Sequence, residues 1–570
     1  MARRSLRTDE EILRALSDSE SNSGDDSLFQ LSSLSSSSDS DTPPPPPRRP
    51  RQSFDPPMAA APPAPDSAAP TWENADLYSP QIPEFTANSG IQFDTTELTA
   101  LDFFQIFVSD DLIAHMVAQT NLYAEQFIRD NPTSSYANRW TPVDAVELRK
   151  FWGLTLYVGL VKKPTIRAYW STDLLYHTSL LRVVMPRTRY EAIQKFIHYN
   201  DNSQCPSRDD PQFDCLYKIW PVLEHFNAKF AQAYTPEKNI SIDESLVHFK
   251  GRLKFRQYLP SKRARYGIKV YKLCESTTGY TFKFRIYEGK DRRIEPPNCP
   301  PSLGISGRIV WDLVHPLLDQ GYHLYLDNFY TSVPLFQCLA SRSTVACGTA
   351  RKCQRGLPKP LVSQLLRRGD SAALCSGNVL CVKYKDKRDV LVLTSIHGHS
   401  SAPFPVRGSR TETLKPICIL DYNRYMGGVD LADQVLQPYN AMRKKEAWYK
   451  KLSVHLVQMS MYNAYVLYQG AGHTVRFLEF QEQVLKALIF GDQGGGEGPS
   501  TSGASTTRIV PGQHFLSKIP STGRKSQVQK RCRVCYKQGI RKDVAFHCET
   551  CPDNPGLCVD PCFKIFHTSL

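Results

Sequence analysis

The stretch ISIDESLVHFKGR (residues 240–252) lies near the middle of the chain. Apolar and polar side chains alternate along it until Gly251, which is the pattern of a half-buried β-strand. Asp243 lies inside this predicted strand, flanked by Ile242 and Leu246. A carboxylate in an apolar strand costs desolvation free energy unless a cation or another partner compensates it. Asp243 is therefore the first candidate for a functional site.

Two later stretches place further acids beside predicted elements. GYHLYLDNFYTS (321–332) predicts an apolar strand that ends in Asp327 and precedes a helix. DYNRYMGGVDLADQ (421–434) places Asp430 and Asp433 three residues apart, so both lie on one face if the segment is helical. Acids from three separate elements could thus converge on a divalent metal ion.

The order of the predicted elements gives these acids defined places in a sheet. The order β-β-β-α-β-α-β is that of an RNase H-like fold, in which acids lie on the first strand, at the end of the fourth and on a later helix. Asp243, Asp327 and Asp430 fall in those places, which predicts a multidomain α/β protein with an RNase H-like catalytic core. The predicted elements are strands over 239–250, 267–275 and 280–287, a helix over 306–319, a strand ending at 327, a helix over 330–342 and a strand over 344–349.

The chemistry that suits such a site is phosphodiester cleavage and strand transfer. Two divalent ions about 3.5–4 Å apart activate an oxygen nucleophile and stabilise the leaving oxygen. Oxygen ligands suit Mg²⁺. We expect Asp243 to bridge two Mg²⁺ ions, Asp327 to hold one and Asp430 the other. Asp433 is interpreted as a further catalytic ligand or as an orienting residue.

Each acid also has a structural interpretation. Asp243 is difficult to explain as a solvated side chain, but Asp327 precedes a predicted helix, where Asp is a common cap. Asp430 lies where a helix simply begins. Glu244 is expected to point to the opposite face of the strand from Asp243 and is not counted. The order of the three acids together favours a site.

Composition and charge indicate several domains and a polyanionic partner. The 570 residues (64.5 kDa) exceed one ordinary core, so we expect about two to four domains. The net charge is +14, although the N-terminal segment is rich in Asp, Glu and Ser. A basic folded part favours a nucleic-acid partner; an unspecialised basic surface is the alternative. No signal peptide is visible, and the longest apolar run (151–161) is too short for a membrane span. We therefore expect a soluble intracellular protein with no membrane partner.

Changes of pattern along the chain predict the domain boundaries. The N-terminal Ser-, Pro- and acid-rich sequence cannot bury enough apolar surface to fold. Helical periodicity follows, with a helix over 142–161 that Thr141 is expected to cap. The predicted segments are a disordered tail (1–97), a helical domain (98–238), a catalytic domain (239–435) with an insertion at about 351–420, a second helical part (436–490), a linker (491–529) and a Cys-rich module (530–570).

Three basic segments are candidates for DNA contact. The first (253–272) interleaves Lys and Arg with aromatic residues, the second (442–451) contains Trp448, and the third follows the fifth predicted strand. Cations would contact phosphates with little sequence reading. The aromatic side chains either stack on unpaired bases or pack in the core, and both interpretations are open. The candidate DNA-binding residues are Lys254, Arg256, Lys262, Arg263, Arg265, Arg351, Arg355, Arg443, Lys444 and Trp448.

The C-terminal segment has the spacing of a zinc module. Two CxxC pairs are followed closely by further Cys and His, which is a strong zinc signature. So short a segment has little core, and metal would supply its folding free energy. Seven ligands indicate two Zn²⁺ ions in a crossed arrangement that needs an eighth ligand. His547 is the candidate, with an Asp or water as alternatives. The seven are Cys532, Cys535, Cys548, Cys551, Cys558, Cys562 and His567.

Several of these motifs together resemble the piggyBac transposases. They are SIDESLVHFKGR (241–252), SKRARYGIKVYKLCESTTGY (261–280), LYLDNFYTS (324–332), GT-x-R (348–351), YMGGVDLADQ (425–434) and the Cys-rich end. The resemblance covers roughly residues 80–570. It implies a homodimeric enzyme with a three-aspartate RNase H-like site that excises DNA through hairpinned transposon ends, inserts it at TTAA and leaves no scar.

The resemblance also implies residue roles. It assigns catalysis to Asp243, Asp327 and Asp430, with Asp433 as a nearby fourth acid, and DNA contact to Arg351. It implies that the helical segments before and after the catalytic domain pack together as a dimerisation and DNA-binding domain. The Cys-rich tail is similar to a crossed-brace finger that binds the transposon end.

Three functions follow from this sequence. The first is a Mg²⁺-dependent transposase of double-stranded DNA in the nucleus, because the basic run GRKSQVQKRCR (523–533) is typical of an import signal. The second is a domesticated DNA-binding protein that keeps the fold and the acids but no longer transposes. The third is a zinc-finger chromatin or protein-interaction module with the middle domain as scaffold. The intact aspartates and Cys-rich tail favour the first.

Overall fold

The computed structural model describes residues 70–260, 265–289, 294–405, 412–443, 447–491, 514, 516–519, 528–551 and 553–568. The chain divides into two compact units, Met1–Gln493 and Gly494–Leu570. We call the first the body and the second the C-terminal unit. The first 69 residues of the predicted tail, most of the predicted linker, part of the basic run at 523–533, and Lys262, Arg263 and Lys444 lie outside the described residues.

The first part of the body is mainly helical, as predicted. Its elements are β1 (Glu73–Asn74), β2 (Gly90–Ile91), α1 (Ala100–Phe107), α2 (Asp110–Asp130), α3 (Ala145–Leu160), α4 (Ser179–Val184), α5 (Arg187–Phe196), α6 (Trp220–Ala233) and β3 (Tyr234–Thr235).

Residues 70–97 are ordered, so the prediction of a disordered tail reaching residue 97 was wrong for this part. β1 pairs with a strand of the main sheet, and the Trp72 indole donates to the carbonyl of Gly356 at 3.0 Å. Phe85 packs edge-on against Tyr322, with ring centroids 5.0 Å apart. These few contacts with the rest of the body order the segment. The low average hydrophobicity of its sequence gives no sign of them.

The N-cap residue of α3 is not the predicted one. The carboxylate of Asp144 accepts from the amide of Glu147 at 2.7 Å and is the N-cap, so the prediction of Thr141 was wrong. The side chain of Asn121 binds both the N–H and the C=O of Val143, at 2.8 and 2.9 Å. This long-range clamp keeps the chain extended before the helix, which begins where the extended segment ends.

The middle of the body has the predicted chain order of strands and helices, with one short strand, β5 (Gln257–Tyr258), that was not predicted. Its elements are β4 (Asn239–His248), β5 (Gln257–Tyr258), β6 (Tyr266–Glu275), β7 (Thr281–Ile286), α7 (Ile305–Val314), β8 (His323–Leu326), α8 (Val333–Ala340) and β9 (Val345–Thr349). β6 pairs with both β7 and β4 antiparallel, whereas β4, β8 and β9 are parallel neighbours. β8 therefore ends beside the middle of β4, where its last residue, Leu326, is in register with Ile242.

The predicted insertion extends the same sheet. β12 pairs with β9, and β1, β10, β11 and β12 continue the sheet from there. The elements after β9 are α9 (Lys359–Ser363), β10 (Ser371–Ser376), β11 (Val379–Lys385), β12 (Asp389–Thr394), β13 (Ser401–Pro405), β14 (Glu412–Pro416), α10 (Ile417–Tyr425), α11 (Gly428–Leu436), α12 (Trp448–Gly470) and α13 (Phe477–Phe490).

Helices from before and after the sheet share one hydrophobic core. α12 packs against α1, and α13 packs against α3. This is the packing that the family resemblance implied for the two helical segments. None of the helices in the described ranges combines the length and the apolar character that a bilayer span requires.

The C-terminal unit consists of short elements around cysteine side chains. Its small core is formed largely by the six buried cysteines. Its elements are β15 (Leu516–Lys518), β16 (Lys530–Arg531), α14 (Arg533–Lys537), β17 (Asp543–Val544), β18 (Phe546–Cys548) and α15 (Cys562–Thr568). β15 lies in the predicted linker and pairs with β18, so the folded unit reaches further towards the N-terminus than predicted.

Candidate active site and zinc centres

Asp243 and Asp327 lie on neighbouring parallel strands. Asp243 is half-buried in β4, and Asp327 follows the last residue of β8, whose Leu326 is in register with Ile242. Burial raises the pKa of the Tyr422 phenol well above its ordinary value, and the charges of Asp327 and Asp243 add to this effect. The charges of both carboxylates therefore act on one hydroxyl group, that of Tyr422 on α10.

The structure gives Asp327 a different role from helix capping. The residue before α8 is Ser332, and no side-chain cap is found at that helix within the described chain. The backbone carbonyl of Asp327 accepts from the amides of Tyr330 and Thr331, at 3.0 and 3.2 Å. The main chain thus closes the turn, and the carboxylate is not the helix cap.

Asp430 lies in the first turn of α11, which packs on the face of β4 that carries Asp243. Gly428 allows this approach, because a Cβ there would lie 2.6 Å from the carbonyl oxygen of Glu275 and 2.7 Å from Oγ of Ser241. Gly428 therefore lets the start of α11 lie against the sheet. Asp430 and Asp433 share a helix face, as predicted.

Asp433 is held by protein groups on both oxygens. Its Oδ1 accepts from Nζ of Lys272 at 2.8 Å, and its Oδ2 accepts from Oγ of Ser245 at 2.6 Å. A cavity of about 460 Å³ opens beside this pair, and its lining includes Ser245, Asp430, Asp433 and His455. Sequence reasoning missed Lys272, which looks like one of many cations in a basic segment.

The oxygens of Asp243, Asp327 and Asp430, all of them described residues, do not form a group within 4.8 Å of one another. Metal-free carboxylates repel one another. Two ions about 3.5–4 Å apart are also bound by different ligands, which lie farther apart than the ligands of a single ion. The all-carboxylate donor set fits Mg²⁺.

Glu244 points away from the metal-ligand candidates, as its place on the strand predicted. Its Oε2 accepts from the Tyr330 hydroxyl at 3.0 Å, and Nζ of the buried Lys269 lies 3.5 Å away. Tyr330 belongs to the turn that begins with Asp327. Glu244 therefore ties that turn to the strand that carries Asp243.

The predicted DNA-binding residues fall into two groups. Arg351 is exposed, and its Nε donates to the side chain of Asn328 at 2.6 Å, next to Asp327. The other exposed members are Lys254, Arg256, Arg265 and Arg355. These side chains are accessible to a polyanion.

Arg443 and Trp448 are packed rather than exposed. The guanidinium of Arg443 donates to the carbonyl of Lys163 at 3.0 Å and to the hydroxyl of Tyr169 at 2.6 Å. Trp448 packs edge-on against the buried Phe255, with ring centroids 5.4 Å apart. The structure gives both a role in packing, and their DNA contact stays a prediction.

The C-terminal unit contains two groups of potential zinc ligands, each with its ligand atoms within 4.8 Å. Sγ of Cys535 lies 3.7 and 3.5 Å from Sγ of Cys558 and Cys562. A tetrahedral zinc with Zn–S bonds of about 2.3 Å separates its sulfurs by about 3.8 Å, so the spacing fits zinc. The groups are Cys532, Cys535, Cys558 and Cys562, and His514, Cys548, Cys551 and His567. They interleave along the chain, as a crossed arrangement requires.

The structure places His514, and not the predicted His547, in the position of the eighth potential ligand. His547 precedes Cys548 on β18, and successive side chains of a strand point to opposite faces. His547 belongs to neither group. His514 lies outside the predicted module, just before β15, whose pairing with β18 brings it to Cys551, 3.3 Å away. A long-range pairing of this kind leaves no local spacing signal.

Comparison with known proteins agrees with this architecture. The sequence pattern of the family described as Transposase IS4 matches residues 99–465, and that of the DDE_Tnp_1-like zinc finger matches residues 516–568. Human PiggyBac transposable element-derived protein 3 is 27% identical over 498 residues, which are 84% of this chain and 78% of that protein. The human Chimeric ERCC6-PGBD3 protein is also 27% identical over 84% of this chain, which spans 44% of its length.

The fold also resembles a solved structure, the piggyBac transposase synaptic complex with hairpin DNA. The TM-score is 0.62 at 23% identity, and the match covers 82% of this chain and 100% of the other. This likeness concerns the fold, a mixed α/β multidomain architecture, while the family pattern spans more than half of the chain. The protein belongs to the piggyBac-type transposase family.

Proposed function

We propose that this protein is an active cut-and-paste DNA transposase that works with two Mg²⁺ ions at Asp243, Asp327 and Asp430. One observation carries the proposal: Asp243 and Asp327 lie on neighbouring parallel strands, and α11 packs Asp430 on the same face of β4. Bound Mg²⁺ would stabilise charge on the attacking and leaving oxygens of phosphoryl transfer. We expect hairpin formation and resolution at the transposon ends and strand transfer into TTAA sites.

The chain's own cations bind and orient the DNA. Exposed Lys254, Arg256, Arg265, Arg351 and Arg355 would contact backbone phosphates, which gives affinity that falls steeply with salt. Arg351 lies beside the turn of Asp327 and is the best placed to hold a phosphate near the reacting bond. The C-terminal unit, with two Zn²⁺, would hold the transposon end. We further propose that the protein acts as a homodimer in the nucleus.

A second candidate is a domesticated DNA-binding protein without transposition. It is favoured by the names of the human relatives, which are called transposable element-derived proteins. The retained aspartates argue for activity, because a binding protein has no need of three carboxylates that repel DNA phosphates.

The test is excision of a TTAA-flanked reporter that carries this element's own ends. Wild type is compared with Asp243→Asn, Asp327→Asn and Asp430→Asn, and with Asp370→Asn in an exposed turn as control. We expect scarless excision by wild type and the control and a loss of at least about 10³-fold in the three variants, which lack a metal ligand. Binding of the ends without cutting by wild type would favour the domesticated protein. Equal activity of wild type and the three variants would disprove the metal site.

A further inference from the structure

Lys272 is a completely buried lysine near the candidate active site. It lies on β6 directly opposite Asp243 in the β4–β6 ladder, and its side chain is 0% exposed. An ammonium group in such a place is unfavourable unless a charged partner compensates it. Its partner is Asp433 of α11, at 2.8 Å. The cation thus links the sheet to the helix that carries Asp430.

The other oxygen of Asp433 is bound as well. It accepts from the hydroxyl of Ser245 at 2.6 Å. Burial raises the pKa of Asp433, but the charge and hydrogen bond of Lys272, with the hydrogen bond of Ser245, outweigh burial and hold the pKa below its ordinary value. The carboxylate is therefore ionised and holds both groups.

His455 of α12 faces the same pair but brings no second cation. Burial, assisted by the charge of Lys272, lowers the pKa of His455 to about 3, so its ring is neutral at pH 7. Its Nε2 has no hydrogen-bond partner among the residues that the structure describes. Lys272 is thus the charge that balances Asp433.

We propose that Lys272 and Ser245 hold Asp433 as a positioning residue for Asp430, and that Asp433 is not a metal ligand. Ser245 lies two residues after Asp243 on the same face of β4, and Asp433 lies one turn after Asp430. The contacts of Lys272 and Ser245 with Asp433, which we call the clamp, therefore hold α11 against β4. α11 carries Asp430 and β4 carries Asp243. Three acids rather than four remain to bind cations. This inference rests on the proposed metal-dependent function.

Replacing both Lys272 and Asp433 by neutral residues distinguishes a positioning role of Asp433 from a role as metal ligand. Removing one partner of a buried ion pair is much worse than replacing both. Asp433→Asn leaves Lys272 without its counter-charge, whereas Lys272→Gln together with Asp433→Asn keeps a hydrogen-bonded pair. We expect Asp433→Asn to weaken both excision and Mn²⁺ binding by about 10–100-fold, and the double variant to recover to within about 10-fold of wild type.

The measurements are excision, Mn²⁺ affinity by calorimetry and the melting temperature of the full chain. A double variant that binds Mn²⁺ no better than Asp433→Asn, although its melting temperature recovers, would overturn the proposal and make Asp433 a ligand. Mn²⁺ affinity and melting need no DNA, so they test the clamp even if wild type does not excise. A wild type that binds no Mn²⁺ would overturn the inference together with the metal site.

Lys383 provides the matched control. It lies on β11, is only 2% exposed and donates to the carbonyls of Val362 and Gln364. Lys383→Met should lower the melting temperature as loss of a buried lysine does, yet leave Mn²⁺ affinity unchanged. An equal loss of Mn²⁺ affinity in this control would show that general destabilisation explains the effect at Asp433, and would overturn the proposal.

Discussion

The protein has two sets of metal-ligand candidates, which are built in opposite ways. In the C-terminal unit, eight Cys and His side chains from residues 514–567 form two groups with ligand atoms within 4.8 Å. In the body, Asp243, Asp327 and Asp430 come from two strands and a helix far apart in the sequence, and their oxygens form no such group. The ligand candidates of the C-terminal unit are near one another in sequence and in space. Those of the body are distant in sequence and farther apart in space.

The chemistry of the ligands explains this difference. Protonated thiols and singly protonated imidazole rings carry no charge, so they can approach closely without metal, whereas carboxylates stay charged and repel one another. The C-terminal unit has almost no core besides its cysteines, so metal must supply its folding free energy. The aspartates are carried by a sheet with a large core. We therefore expect folding to depend on metal in the C-terminal unit, and metal binding to depend on folding in the body.

The largest expected effect comes from removing zinc. Structural zinc contributes about 10–16 kcal/mol in small zinc domains, so excess chelator should unfold the C-terminal unit completely. Limited trypsin digestion of the full chain should then cut within residues 530–541 at least about 100-fold faster, because the unfolded population of the unit rises. The melting temperature of the body should stay the same. A lower melting temperature of the body after chelation would contradict the claim that the body folds without metal.

The second effect is confined to one zinc group. His514→Ala removes one of four ligands, and we expect zinc content to fall from about two ions per chain to about one. His547→Ala is the matched control, because His547 is next to a ligand but belongs to neither group. Atomic absorption on the purified full chain measures both. A loss of zinc in His547→Ala with none in His514→Ala would restore the assignment that the sequence suggested.

The two sites also differ in how far sequence predicts them. Strand alternation and element order located Asp243, Asp327 and Asp430 in their elements, because these patterns reflect burial and chain topology. The spacing of Cys and His located seven of the eight potential zinc ligands. His514, Lys272 and the Asp144 cap were missed because each acts through a contact that only the folded chain creates: β15 on β18, Lys272 on Asp433, and Asn121 on Val143. The ordered segment 70–97 escaped prediction for the same reason.

An intermediate effect is expected at Gly428, where α11, which carries Asp430, packs closely against the sheet. Gly428→Ala places a methyl group 2.6 Å from the Glu275 carbonyl oxygen, so α11 must shift. We expect a loss of stability of about 1–3 kcal/mol and a loss of excision of about 100-fold, since a displacement of about 1 Å at a reacting centre has that effect. Gly304→Ala is the control, because no atom lies within 4 Å of its added Cβ. Urea unfolding and the reporter assay measure the two effects, and wild-type behaviour of Gly428→Ala would show that α11 needs no such approach.

The most gradual effect is the response of the two units to acid. Burial lowers the pKa of His198 and His323 to about 4 and that of His455 to about 3. These rings are neutral in the folded body, while in the unfolded chain they gain a proton below pH about 6.5. The stability they give is therefore complete above that pH and is lost as pH falls towards 4. At pH 5 each histidine should cost about 2 kcal/mol.

The unfolding free energy of the body, measured from pH 6.5 to 4.5, should fall with a slope that His323→Gln reduces and that His177→Gln, in an exposed loop, does not. In the C-terminal unit acid acts differently, because protons compete with zinc for the thiolates. Chelator should therefore leave the slope of the body unchanged, since no thiolate takes part in it. An equal slope in wild type and His323→Gln would mean that the ring is already solvated in the folded body. A slope that chelator abolishes would mean that the acid response of the body comes from zinc release, and the two units would then share one metal-dependent transition.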